Sequence, residues 1–347
     1  MKSILCMFAA ALLAACFAGG SASAQSGACD RACLEGFVDR YLDALVKHDP
    51  SAVPLSSGVR FTENGQRLAI GDALWRSMKS KGTYRLFVSD VDAGQVAFIG
   101  TVNEENSDPA QVTPALIALR LRIAGGQITE IEQAVIRNVD AAKRVEALGT
   151  PNALFLQTIP ENKQMSRAEL IRTANMYFSG MQKNDGKGVY PFSDDCDRLE
   201  NGSQTTNRPT PAGEKRPDPA TATNYSAQWS CLEQFKSGLL HFVTRIRDRR
   251  FVAVDQERGL VLAFGFFDHS AGDTRKFLAP NGRQVTAGPA QPWTWYLAEM
   301  FKIEDGKIHR IEAVLDRVPY GMLSGWSSWE DGMSDRAQDV TRAAAVH

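Results

Sequence analysis

Glu200, His241, Asp268, His269, Arg245 and Arg247 are the residues of this chain best suited to proton transfer, and all lie in its second half. A carboxylate held in an apolar cavity has its pKa raised and can exchange protons near neutral pH. Histidine is the usual general base in that range, and an adjacent aspartate can orient it. Neighbours on a strand point to opposite faces, however, so the Asp268-His269 pair is a weak signal. Arg245 and Arg247 share a strand face and could hold a carboxylate or a developing oxyanion. Glu63 is the first-half mate of Glu200, and each opens a Glu-Asn-Gly segment. Either each glutamate stands at a cavity mouth, or it belongs to a hairpin turn and faces water. The run Arg245-x-Arg247-x-Arg249-Arg250 reads either as a solvated strand face or as a pocket wall.

Tryptophan is distributed as unevenly as histidine. Trp75 lies in the first half, whereas Trp229, Trp293, Trp295, Trp326 and Trp329 follow later. Such side chains line pockets for apolar or aromatic ligands, or they pack a core. Trp295 leads the binding candidates, with Trp293, Tyr177 and Asn201 beside it. No glycine-rich phosphate loop, zinc signature or nucleophile elbow occurs, so chemistry without a metal or other cofactor is expected.

The elements that must position these residues come in two copies. Pro109-Ala110-Gln111 recurs as Pro289-Ala290-Gln291, an offset of 180. Gly126, Ile128, Ile131-Glu132 and Arg137 fall at the same offset on Gly306, Ile308, Ile311-Glu312 and Arg317. Upstream, Tyr41 matches Tyr177 at an offset of 136, so the second copy holds extra residues in loops. The extra segments are 204–227, rich in Pro and Thr, and 270–287, and both read as loop. Long loops of this kind often cover a binding site.

Each copy opens with an amphipathic helix, around Leu34–Leu45 and, after a capping box at Ser166-x-x-Glu169, around Leu170–Met181. A short strand ends at Glu63 or Glu200, and a short helix follows at Gly71–Lys79 or Ser230–Leu240. Strands come next, at Gly94–Val102 and Ala115–Ile123, and at Gly259–Phe267 and Trp293–Ile303. Hairpins at Gly125-Gly126 and Asp305-Gly306 return through 128–137 and 308–317. Helices gathered on one face of a bent antiparallel sheet make an α+β domain with a conical cavity. On the last strand Ile311, Ala313 and Leu315 share one face, so Glu312 and its mate Glu132 belong to the outer surface. The same parity puts Arg137 and Arg317 on the inner face.

The ends and composition bound the rest. Lys2, the apolar run Ile4–Ala15 and the small residues Ala22-Ser23-Ala24 read as an export signal cut before Gln25. Leu13-Ala14-Ala15-Cys16 offers the competing reading of a lipid anchor at Cys16. Cys29, Cys33, Cys196 and Cys231 remain after the cut, an even number that suggests disulfides in an exported chain. Three pairings are possible. Cys196 with Cys231 is favoured because both lie in the second copy, which leaves Cys29 with Cys33. Net charge is −1, without the basic excess that nucleic acid would require. No segment is long and apolar enough to span a bilayer.

The pattern resembles the nuclear-transport-factor-2-like superfamily, which includes the SnoaL-like cyclases and ketosteroid isomerase. The residues that carry it are Tyr41-Leu42-x-Ala44-Leu45, Leu74-Trp75 and the closing hairpin Ile303-Glu304-Asp305-Gly306-Lys307-Ile308. Arg60-Phe61-Thr62-Glu63-Asn64-Gly65 and the segment from Thr244 to Phe251 are similar to a family of secreted tandem proteins known only as a domain of unknown function. The resemblance covers most of residues 30–320 and implies two cone-shaped domains, each a bent antiparallel sheet with helices across its concave face. The expected division is a signal peptide at 1–24, a first SnoaL-like domain at 29–148, a linker at 149–164, a second SnoaL-like domain at 165–322 and a tail at 323–347. In this superfamily the outer sheet surface often forms a dimer contact, which two fused copies could bury against each other. A monomeric pseudo-dimer or a homodimer follows.

Function is expected on the same footing. The first reading is an exported, cofactor-independent lyase or isomerase acting by proton transfer on a small organic molecule, with aromatic compounds among the options. The other is a periplasmic or secreted ligand-binding protein without catalysis. Fold alone does not decide between them.

Overall fold

A computed structural model describes residues 29–341. The export signal, its cut after Ala24 and the lipid-anchor motif at Cys16 lie outside the described residues, as do residues 342–347.

Helix α1 spans Arg31–Lys47, capped by the Asp30 side chain on the Cys33 amide and stopped by His48 in the left-handed region. It buries Leu34, Phe37, Val38, Tyr41, Leu42 and Leu45, the apolar stripe read from the sequence. In the second copy α4 spans Arg167–Met181 behind the Ser166–Glu169 capping box and buries Leu170, Ile171, Ala174, Tyr177, Phe178 and Met181.

The first sheet contains β1 (Leu55–Glu63), β2 (Gln66–Arg67), β3 (Met78–Asp90), β4 (Gln95–Glu105), β5 (Val112–Ala124) and β6 (Gln127–Ile136). Helices α2 (Leu74–Ser77) and α3 (Val139–Glu146) accompany it. The second contains β7 (Phe192–Glu200), β8 (Ser203–Gln204), β9 (Arg245–Asp255), β10 (Leu260–His269), β13 (Trp293–Glu304), β14 (Lys307–Val318) and β15 (Ala337–Asp339), with α5 at Cys231–Lys236 and α6 at Trp329–Gly332. Strand orders are β2-β1-β6-β5-β4-β3 and β8-β7-β14-β13-β10-β9-β15, so the repeat in sequence is a repeat in topology. The architecture is α+β: α1 and α4 pack on one face of their sheets, and α3 packs on the opposite face of the first. The sheets are mixed rather than purely antiparallel, because β1 pairs with β6 and β7 with β14 in parallel.

Two elements differ from the sequence reading. The helix expected at Gly71–Lys79 is one turn, and β3 begins at Met78. The polar start Lys79-Ser80-Lys81-Gly82 conceals a strand whose alternation begins only at the buried Tyr84, Leu86 and Val88. The second inserted segment is not all loop. It contains the hairpin β11 (Lys276–Leu278) and β12 (Gln284–Thr286). That hairpin reaches the first insertion, where Asn281 donates to the Ala220 carbonyl at 2.9 Å. Phe277 and Val285 pack there on buried Trp229, which is therefore core.

The outer faces of the two sheets meet in a shared core. Leu86, Ile99, Leu116 and Ala118 of the first pack with Val252, Leu262, Phe264 and Met300 of the second. Arg250 crosses the joint to Glu132 with bonds of 2.7 and 2.6 Å, and the Tyr296 hydroxyl donates to the same carboxylate at 3.0 Å. Glu312 accepts from the Tyr84 hydroxyl of the first sheet at 2.5 Å. Both repeated glutamates thus serve the contact between copies. The tail closes over the joint: Trp326 donates to the Thr62 hydroxyl at 2.8 Å and lies under the guanidinium groups of Arg60 and Arg120. Trp326 is a bridge between copies, and Trp329 stands exposed.

Candidate functional site

The parallel pairing of β7 with β14 and the antiparallel pairing of β14 with β13 set Glu200, Ala313 and Glu299 side by side on the concave face. Strands lie about 4.8 Å apart, so the two glutamates are carried on backbones about 10 Å apart with only a methyl group between them. That gap opens into a small cleft with a cavity volume of about 60 Å³, partly open to solvent. Its walls include Phe242, Phe267, Trp295 and Tyr225, the last contributed by the first inserted segment.

Arg198, one place along the same face of β7, is fully buried and ties the floor together. It reaches the Tyr177 hydroxyl at 3.2 Å, Gln234 Oε1 at 2.6 Å and Thr205 Oγ1 at 3.0 Å, and pairs with Glu200 at 3.2 Å. Gln234 belongs to α5 and also donates to the carbonyls of Thr205 and Ser226, so it fastens the first insertion beside the cleft. The disulfide Cys196–Cys231 links β7 directly to α5. The second disulfide joins Cys29 and Cys33, so the structure contains the favoured pairing.

Glu299 is 2% exposed, and its Oε2 atom has no hydrogen-bond partner. Burial foremost, then the charge of Glu200, pushes its carboxyl up to about 8, with Arg198 and Tyr177 pulling the other way. His269 is also 2% exposed, and its Nδ1 is unpartnered. Burial lowers it to about 4, so the ring is neutral at ordinary pH. Its ring lies flat on Trp293, with centroids 3.9 Å apart, and stacks towards Phe242 and, beyond it, Tyr225. Arg317 covers the other end of this column, over the Trp293 ring at 5.1 Å.

The structure therefore brings Glu200, His269 and Trp295 to one cleft, with Tyr177 beneath it and Trp293 behind His269. It does not bring Asp268, Arg245 or Arg247 there. Asp268 points to the opposite face of β10, where Arg245, Arg247 and Thr294 reach it at 2.8, 2.9 and 2.7 Å. Arg247 also donates to the carbonyls of Gly332 and Met322, so this cluster holds the tail. Nor is the arginine run a solvated face: Arg247, Arg249 and Arg250 are all buried, and Arg249 turns to Asn175, Ser179 and Gln182. His241 stacks on Phe277 and bonds the Asn184 carbonyl, away from the cleft lining. Asn201 occupies the left-handed turn position after Glu200 and bridges the backbone of Leu315. Glu299, Arg198 and Tyr225 were missed in the sequence reading. Glu299 had a visible signal: its equivalent at the 180 offset is Leu119, so a charge interrupts an apolar strand face.

The first copy fills the same place. Glu63, Gln133 and Leu119 are in register where Glu200, Ala313 and Glu299 stand in the second. Gln133 spans the gap, accepting from the Tyr41 hydroxyl at 2.7 Å and donating to Glu63 at 2.9 Å. Glu63 also takes the Leu74 amide and Arg137, so it is a buried structural carboxylate and not a turn residue in water.

Two sheets that share one strand order, each with its long helix on the concave face, define a tandem α+β protein. More narrowly, the chain belongs to the family described as a domain of unknown function, DUF8021, whose family model matches residues 28–135 and 163–315. No curated protein matches the chain. Among solved structures it is similar to AclR from Streptomyces galilaeus at 13% identity, TM-score 0.26, covering 38% of this chain and 92% of that one. An NTF2-like protein from Burkholderia thailandensis matches at 18% identity, TM-score 0.23, covering 30% and 92%. A de novo designed protein with a curved β-sheet matches at 17% identity, TM-score 0.23, covering 44% and 88%.

Proposed function

We propose that the second copy is a cofactor-independent lyase or isomerase that works by proton transfer, in an exported protein. The observation that carries this reading is Glu299, a buried carboxylic acid facing a second carboxylate, Glu200, across the gap left by Ala313. A carboxyl with a pKa near 8 is protonated at neutral pH yet close enough to titration to pass its proton in either direction. In the reaction proposed, Glu200 removes a proton from carbon beside a carbonyl, and the Glu299 O–H donates to the carbonyl oxygen as it gains charge. The proton then returns to a different carbon, giving isomerisation, or a neighbouring group departs, giving elimination. The Arg198 guanidinium and Tyr177 hydroxyl fix the geometry of both carboxyl groups. Two disulfides support an oxidising compartment.

The test is hydrogen–deuterium exchange at carbon, followed by NMR across a panel of small ketones and β-hydroxy ketones. Wild-type protein is expected to exchange at least one compound, and Glu200→Gln and Glu299→Gln to slow it by about 100-fold each. Undiminished exchange in both variants, or none with any compound in the wild type, rejects the reading. The aromatic column favours the second reading, a binding protein without turnover, which predicts ligand uptake with no exchange.

A further inference from the structure

Two polar atoms inside the cleft have no partner in the protein, Glu299 Oε2 and His269 Nδ1. Both belong to side chains that are almost fully buried and line the cavity. An unpartnered buried polar atom costs about 1–3 kcal/mol unless something arrives to pair with it. Arg198 is already taken up by Glu200, Tyr177, Gln234 and Thr205, whereas the Glu200 carboxylate and Tyr225 remain at the lining. A ligand in this cleft thus meets two buried, unpartnered hydrogen-bonding atoms beside the Glu200 carboxylate and Tyr225, aromatic walls at Phe242, Phe267 and Trp295, and no free positive charge on the floor.

We propose that the cleft takes a small, uncharged, planar aromatic ring bearing two oxygen substituents, one paired with Glu299 Oε2 and the other with His269 Nδ1. This rests on the proposed function only in taking the cleft as the working site. Both partners suit oxygen groups that can donate or accept. Glu299 is largely protonated near neutral pH and His269 is neutral there, so neither offers a counter-charge to an anion. Glu200 would meet a carboxylate ligand with like charge.

The probes are catechol, resorcinol and hydroquinone, with phenol and benzoate as controls, titrated calorimetrically into the full protein. At least one diol is expected to bind about fivefold tighter than phenol, the effect of one further hydrogen bond, and benzoate to bind at least fivefold weaker than phenol. His269→Phe keeps a ring in the stack and Glu299→Leu copies Leu119 of the first copy, so both variants are compatible with the fold. Each is expected to abolish the advantage of diol over phenol. Benzoate binding as tightly as phenol, no diol advantage, or an advantage that survives in both variants overturns the proposal. Diol binding that depends on both residues, without carbon exchange on any substrate, sustains this inference and rejects catalysis. Carbon exchange with the expected diol advantage missing does the reverse.

Discussion

Gln133 and Ala313 occupy the same register position in the two sheets, each between a glutamate on the parallel strand and a residue of the hairpin partner. One fills the space between its neighbours, and the other leaves it open.

Ala313→Gln is therefore expected to close the cleft of the second copy. The longer side chain enters existing space, so stability should change by no more than about 1 kcal/mol. Phenol affinity should fall at least tenfold, measured by titration beside a urea unfolding curve. Retained affinity would show that ligands enter elsewhere.

Glu299 links stability to pH with a definite sign. Its folded-state pKa is raised from 4.5 to about 8, so the folded protein keeps a proton that the unfolded chain has released. Stability is full below about 4.5 and declines as pH rises through 8. His269 acts in the other direction at lower pH, gaining stability as pH rises from about 4 to 6.5. Glu299→Gln should flatten the decline between pH of about 6.5 and about 8.5, read as urea midpoints. An unchanged slope in the variant would place the ionisation on another group.

Asp268 lies on the face of β10 opposite the cleft, where it anchors Arg247 against the tail. Asp268→Ala leaves Arg247 buried without its counter-charge and is expected to cost about 3–5 kcal/mol. Any activity lost should return when the variant is assayed under conditions that keep it folded. Lost activity in a variant whose midpoint is unchanged would restore Asp268 to the site.

Arg250 carries the joint between copies. Arg250→Met removes the main counter-charge of buried Glu132, leaving it Tyr296 and a 4.0 Å approach of Arg120, and should cost about 3 kcal/mol. Adding Glu132→Gln should recover part of that loss, measured by a double-mutant cycle in denaturant. Independent, additive costs would mean that the pair contributes no coupling.

Much of this architecture was legible because it was written twice. Offsets between Ile128-x-x-Ile131-Glu132 and Ile308-x-x-Ile311-Glu312 aligned the strands before any coordinates, and the inward face of Ala313 followed from simple alternation. The side taken by Asp268 and His269 was not legible, since β10 is buried on both faces and shows no polar alternation. Arg198 was hidden for the opposite reason. Its strand is rich in aspartate, so one more charge made no contrast. The role of Arg245 and Arg247 depended on a tail that returns from far along the chain to β9, a contact with no local sequence signature.

The buried joint at Glu132 and Arg250 bears on how such a chain can change. When two separate subunits pair through equal faces, a substitution that blocks a site blocks it in both. Here the partners are encoded in tandem and meet in fixed one-to-one proportion, whatever the concentration. Filling the first copy's gap with Gln133 therefore leaves the Ala313 gap of the second copy untouched.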